Sequence, residues 1–151
     1  MDLLLWRHAE AEAGAPDLAR ELTAKGRAQA QRMARWLAAH GPRELVVYTS
    51  PAVRARQTAV AFDRPCRILE ALAPGGSAAA LRAATPWPDA AAAWLLVGHQ
   101  PTLGQLAALL LGGTEADWSL RKGALWWLRS RCREGRWQTQ LYAVQDPALL
   151  L

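Results

Sequence analysis

The residues best able to do chemistry in this chain come directly after runs of apolar ones. Three leucines and a tryptophan, Leu3–Trp6, run into Arg7 and His8. A second run, Leu45–Thr49, passes through Ser50-Pro51 to Arg54, and a third, Trp94–Val97, passes through Gly98 to His99. An arginine offers a planar fork that holds two phosphate oxygens at once. Two such forks and an imidazole can spread over the three equatorial oxygens of a phosphoryl group in transfer. The remaining imidazole can attack phosphorus, because neutral imidazole is a nucleophile that needs no separate base. Neighbouring guanidinium groups disfavour its protonated form. Arg7, His8, Arg54 and His99 are therefore the candidate site. A single histidine or arginine after a strand has an ordinary explanation as a loop or surface residue; the same pattern at three strand ends does not. Arg56 is expected to face solvent, and His40, at a helix end, to serve only the helix dipole.

Buried strands must position these groups. Residues 2–7, 45–49, 66–69 and 94–97 read as short apolar strands. Thr23 can cap a helix running to about His40, where Gly41-Pro42 ends it. Ser50-Pro51 suits the cap and first turn of a second helix, reaching about Asp63. PGGSAAALRAA (74–84) reads as a turn and a short helix, and 102–111 as an apolar helix closed by Gly112-Gly113. Residues 123–131 and 136–144 read as a hairpin about Glu134-Gly135. Strands alternating with helices predict a three-layer α/β/α sandwich, with a mostly parallel sheet and a C-terminal β-hairpin. In such sheets ligands bind beyond the carboxyl ends of the strands, where the candidate residues fall. No repeat or linker divides residues 1–151, which are expected to form a single domain.

The composition narrows the classes further. The chain has 151 residues, 52% hydrophobic, with eight tryptophans, which excludes a disordered chain. Its longest apolar run without a charge, near residues 106–111, is too short to cross a bilayer. Residues 1–8 lack the layout of a signal peptide, so a cytoplasmic location with no membrane partner is expected. Cys66 and Cys132 stand far apart in no metal-like spacing and are expected to be reduced and mostly buried. The net charge is +5, and lysine occurs only at Lys25 and Lys122. Such a balance suits an acidic partner or substrate. A nucleic-acid-binding module is a weaker alternative, and no nucleic-acid partner is expected.

Three motifs carry a family resemblance. LLLWRHAEAE resembles the Arg-His-Gly signature of the histidine phosphatase superfamily, which includes the phosphoglycerate mutases and acid phosphatases. YTSPAVRARQTA resembles its Ser-Pro-x-x-Arg-x-x-Gln-Thr motif, and LLVGHQPTLGQLAALLL its second histidine motif. They occur in the family's order and span nearly the whole chain. The Arg-His-Ala variant, LTAKGRAQA after the first loop and Gly-His-x-Pro are most similar to the SixA-type phosphohistidine phosphatases. The resemblance implies a phosphoglycerate mutase-like fold, His8 as nucleophile, Arg7, Arg54 and His99 as the phosphate pocket, and neither metal nor cofactor. Ala9 replaces the superfamily's glycine, so positive φ is not expected there. Gly14 stands where mutases carry an asparagine, which weakens a mutase reading. Mutases place a carboxylate proton donor after the third strand, and Glu70 is the nearest candidate for one.

The substrate reading follows from the leaving group. Imidazole, with a pKa of about 6.5, leaves phosphorus easily, whereas an alkoxide needs a strong general acid. The connection between the third and fourth strands, residues 70–93, is too short for the capping elements that larger family members insert there. The site is therefore expected to be open and shallow, able to admit a phosphorylated side chain. These points favour a signal-transduction phosphatase acting on a phosphohistidine-bearing protein, such as a histidine-containing phosphotransfer domain, through a covalent phosphohistidine intermediate. The alternatives are a phosphatase of small phosphomonoesters and a non-catalytic phosphate-binding protein. The oligomeric state is left open.

Overall fold

Ten regular elements follow one another: β1 (Asp2–Arg7), α1 (Ala24–His40), β2 (Leu45–Thr49), α2 (Val53–Val60), β3 (Cys66–Ile68), α3 (Ala78–Ala84), β4 (Ala93–Gly98), α4 (Thr102–Gly112), β5 (Leu125–Arg133) and β6 (Arg136–Gln145). Single 3-10 turns occupy Asp17–Ala19, Glu70–Leu72 and Pro147–Leu149. In the computed structural model, which describes residues 1–150, the strands form one six-stranded sheet in the order β3-β2-β4-β1-β5-β6. The first four strands run parallel, while β5 and β6 form an antiparallel hairpin beside β1.

The period-2 alternation of the strands decides the layers. Leu4, Trp6, Val47, Leu95 and Val97 point to one face, where they pack against Met33 and Leu37 of α1 and Ala55 and Ala59 of α2. Leu3, Leu5, Leu96 and Leu128 point to the other, against Leu81 of α3 and Leu103 and Leu106 of α4. Burying one such Leu or Met contributes about 1.5–3 kcal/mol. Both faces are covered, which is why β1 and β4 read as continuous apolar runs. Trp6 is fully buried, and its indole N–H donates to the Gly123 carbonyl at 3.0 Å, leaving no orphan polar group.

Local signals explain the element ends. The Thr23 hydroxyl accepts from the Gly26 amide as N-cap of α1, and α4 ends at Gly113 in the left-handed region, at φ 84. Glu134 and Gly135, at φ 51 and 76, form the two-residue hairpin turn. Three expectations need correction. The second helix begins at Val53 and ends at Val60, with Ala52 as N-cap. Ser50 does not cap it: its hydroxyl accepts from Ala52 N–H at 3.1 Å in a turn ahead of the helix. The cysteines are unpaired, but they are not mostly buried: Cys66 is half-buried on short β3, and Cys132 is exposed near the hairpin tip.

The strand register brings the chemistry together. Arg7 of β1 lies opposite Gly98 of β4, and Thr49 of β2 lies opposite Val97. The ladder continues one step past each strand: His8 N–H donates to Gly98 O and Ser50 N–H to Val97 O, both at 3.0 Å. Three carboxyl ends that are distant in sequence thus sit side by side.

Candidate active site

His8 and His99 leave adjacent strands, and their ring centroids lie 5.1 Å apart. The His8 Nδ1 is 2.7 Å from the Ala9 carbonyl oxygen. A carbonyl only accepts, so Nδ1 carries the proton and the lone pair is on Nε2. The Ala9 amide is held in turn by the Thr58 hydroxyl at 3.1 Å, and that hydroxyl donates to Arg54 O at 2.8 Å. Ala9 takes this position without positive φ. The His99 Nε2 is 2.7 Å from Ser50 Oγ. Ser50 Oγ already accepts from Ala52 N–H, and donation to His99 Nε2 gives its own proton a partner. That assignment puts the remaining imidazole proton on Nδ1.

The two arginines are fixed by one end only. Arg7 Nη1 donates to Leu120 O at 2.8 Å. Arg54, 4% exposed, donates from Nη1 to Asp17 O at 2.8 Å and from Nη2 to Asp17 Oδ2 at 3.2 Å. Arg7 Nε, Arg54 Nε and His99 Nδ1 are buried and have no hydrogen-bond partner. Buried polar atoms are almost always satisfied, and an orphan costs about 1–3 kcal/mol. Three unsatisfied donors on the site's own side chains match the demand of an oxyanion.

The electrostatics favour neutral imidazoles among cations. Burial is the largest cause holding the His8 pKa down at about 4; Arg54, Arg7 and Arg20 lower it further, while the Ala9 carbonyl opposes them. His99 is held at about 3, first by burial and then by His8 and the arginines, with Asp17 pulling the other way. The Asp17 carboxyl lies below the ordinary carboxylate range, chiefly through its hydrogen bond from Arg20. At neutral pH the site thus holds two guanidinium groups, two uncharged rings and one carboxylate bracing Arg54 from behind.

Arg7, His8, Arg54 and His99 all belong to this constellation. Glu70 is exposed on the turn after β3, and its carboxylate makes no hydrogen bond or ion pair among the described residues, although that turn packs against β4 with Leu72 beside Gly98. His8 itself is only 7% exposed. The β3–β4 connection packs its helix against α4. The loop between β1 and α1 reaches the site through Asp17, and the segment before β5 reaches it through Leu120 O, which holds Arg7. Positive charge comes from side chains rather than from the start of α4, whose Leu103 and Gly104 amides are taken by His99 O and Gln100 Oε1.

Sequence reasoning passed over Asp17, Ser50 and Thr58 as working parts. Ser50 and Thr58 lie inside the motif quoted for Arg54, and their spacing was the signal available. In the same motif Gln57 Oε1 accepts from Leu22 N–H at 2.8 Å, anchoring the far end of the β1–α1 loop. Nothing in the loop's composition marks Asp17, which acts across 37 residues of chain.

Known proteins resemble this chain in sequence and in fold. The family model of the histidine phosphatase superfamily (branch 1) matches residues 3–73. An uncharacterized protein of Picosynechococcus is 34% identical over 164 residues, covering 100% of this chain and 99% of the relative. The structure of the protein histidine phosphatase SixA complexed with tungstate is 27% identical, with a TM-score of 0.77, covering 98% of each chain. A SixA-type structure from Nakamurella multipartitia is 28% identical, also with a TM-score of 0.77, covering 97% of this chain and 95% of that one. A phosphoserine phosphatase from Entamoeba histolytica, 18% identical with a TM-score of 0.72 and 99% of each chain covered, shares the fold. The chain belongs to the histidine phosphatase superfamily. That membership and the SixA neighbours support a phosphatase.

Proposed function

We propose that the protein is a cytoplasmic phosphohistidine phosphatase, removing the phosphoryl group from histidine on a partner protein such as a histidine-containing phosphotransfer domain. One observation carries the reading: His8, with Nδ1–H tied to the Ala9 carbonyl and Nε2 free, has its ring 5.1 Å from that of His99 and feels the charges of Arg54 and Arg7, and each of those three side chains holds an unsatisfied buried nitrogen. The similarity to SixA structures supports the choice of substrate.

In the first step His8 Nε2 attacks phosphorus. The substrate P–N bond breaks, its electron pair goes to the departing imidazole, and that ring takes a proton from solvent. Arg7, Arg54 and His99 Nδ1–H meet the equatorial oxygens, where their charge and N–H groups count most in the transition state. In the second step water adds to phosphorus and the P–Nε2 bond breaks, returning its pair to His8. Inorganic phosphate leaves, and the spare proton passes to solvent. An imidazole leaving group needs no strong acid, so this step does not depend on Glu70 as a proton donor.

The test is to mix the protein with a phosphohistidine protein carrying labelled phosphate and quench within milliseconds. Acid-labile, base-stable label on wild type, absent from His8→Ala with an unchanged circular dichroism spectrum, is the expected result. Label that His8→Ala retains, or turnover confined to alkyl phosphates, overturns the reading.

A further inference from the structure

A basic cleft shares Arg7 with the site, and its other residues take no part in the mechanism above. It has a volume of about 520 Å³ and lies between the first half of α1, residues 119–122 and the segment after β6; Arg7 lines it as well. On α1 it is lined by Lys25, Ala28, Gln29 and Arg32, the spacing of one helical face. Arg121 and Lys122 contribute from the opposite wall. Two carboxylates oppose this charge, and both are already engaged. Glu10 lies 4.0 Å from Lys25, and Asp146 lies 3.1 Å from Arg121. Arg32, half-buried, and Lys122 have no carboxylate partner among the described residues. The volume falls in the range of ligand sites, about 300–1,000 Å³, and exceeds what a phosphate ion fills.

We propose that this cleft is a subsite for a second anionic group on the substrate, a carboxylate held by Arg32 and Lys122 while the phosphoryl group lies against Arg7 and His8. Arg7 belongs to both the phosphoryl site and the cleft lining, which makes it the link between them. The carboxylate can come from an acidic side chain flanking a phosphorylated residue or from a small phosphorylated acid. The inference rests on the phosphoryl-transfer reading of the site but not on phosphohistidine as the substrate.

Affinity, rather than turnover, separates the two. With His8→Ala protein, calorimetry compares a phosphohistidine peptide flanked by glutamates with its glutamine counterpart, and 3-phosphoglycerate with glycerol 3-phosphate. The carboxylate member of at least one pair is expected to bind about tenfold tighter, equal to about 1.4 kcal/mol. The pair that shows it names the source. The preference should disappear in Arg32→Gln/Lys122→Gln and shrink in high salt as screening grows. Equal affinity within both pairs, no binding by any of the four, or a preference that survives the double substitution overturns the proposal. Turnover of the phosphohistidine peptides by wild-type protein tests the substrate class separately.

Discussion

The two site histidines should make the fold sensitive to mild acid, and the structure sets the size of the effect. In the unfolded chain each imidazole titrates at about 6.5; in the fold His8 waits until about 4 and His99 until about 3. Between those values the unfolded state binds protons that the folded state refuses, so stability falls as pH falls. The contribution is whole above pH 6.5 and is lost progressively below it. From pH 7 to pH 5 each histidine costs about 2 kcal/mol, and both together about 4 kcal/mol, a large share of an ordinary domain's stability. Asp17, held below the ordinary carboxylate range, stays ionised in this window. The assay is urea denaturation at both pH values in buffers free of phosphate and sulfate. With a slope of about 2 kcal/mol per molar, the midpoint should fall by about 2 M. His99→Gln should keep about half of that fall, and His8→Gln/His99→Gln little of it. A midpoint that does not move between pH 7 and pH 5, or that falls equally in the double variant, refutes the assignment of two buried neutral imidazoles.

Three further outcomes are expected. Arg54→Ala and His99→Ala should each lower kcat by about 10²-fold, the scale of one lost transition-state donor; steady-state kinetics with and without a chelator checks this, and the chelator should change nothing. Turnover of a phosphohistidine protein should exceed that of a simple alkyl phosphate by at least about 10²-fold in kcat/KM, the worth of one general acid, with little change in Glu70→Gln; comparable rates on serine or sugar phosphates would instead favour the small-phosphomonoester reading. Gly104→Ala should destabilise by about 2 kcal/mol or more, since its Cβ would run into the Trp118 carbonyl; thermal denaturation measures it, and an unchanged Tm would refute the close packing of α4 on that segment.

How far this site could be read from the chain depends on the range over which each interaction works. Arg7 and His8 were legible because burying a strand and ending it on an arginine leaves a local mark: four apolar side chains, then a charge with no reason to be there. Arg54 and His99 carry the same mark, and the rule that parallel strands present ligands at their carboxyl ends supplied the missing third dimension. Strands alternating with helices gave the layers, and Glu134-Gly135 gave the hairpin its turn. The helix start after Ser50 was misplaced because serine and proline suit a cap wherever they fall. Here a long-range partner, His99, claims the hydroxyl, and the helix begins three residues later. Asp17 left no local trace, since a carboxylate in a polar loop is ordinary until the fold sets it behind Arg54. The basic cleft was equally hidden. Lys25, Arg32 and Lys122 are unremarkable as separate surface charges, and only the passage of residues 119–122 alongside α1 sets them around one space. What the chain spells out, then, is the part of the site that burial must explain. The parts that brace the arginine and extend the site beyond Arg7 exist only as contacts between segments, and the fold had to be seen before their chemistry could be read.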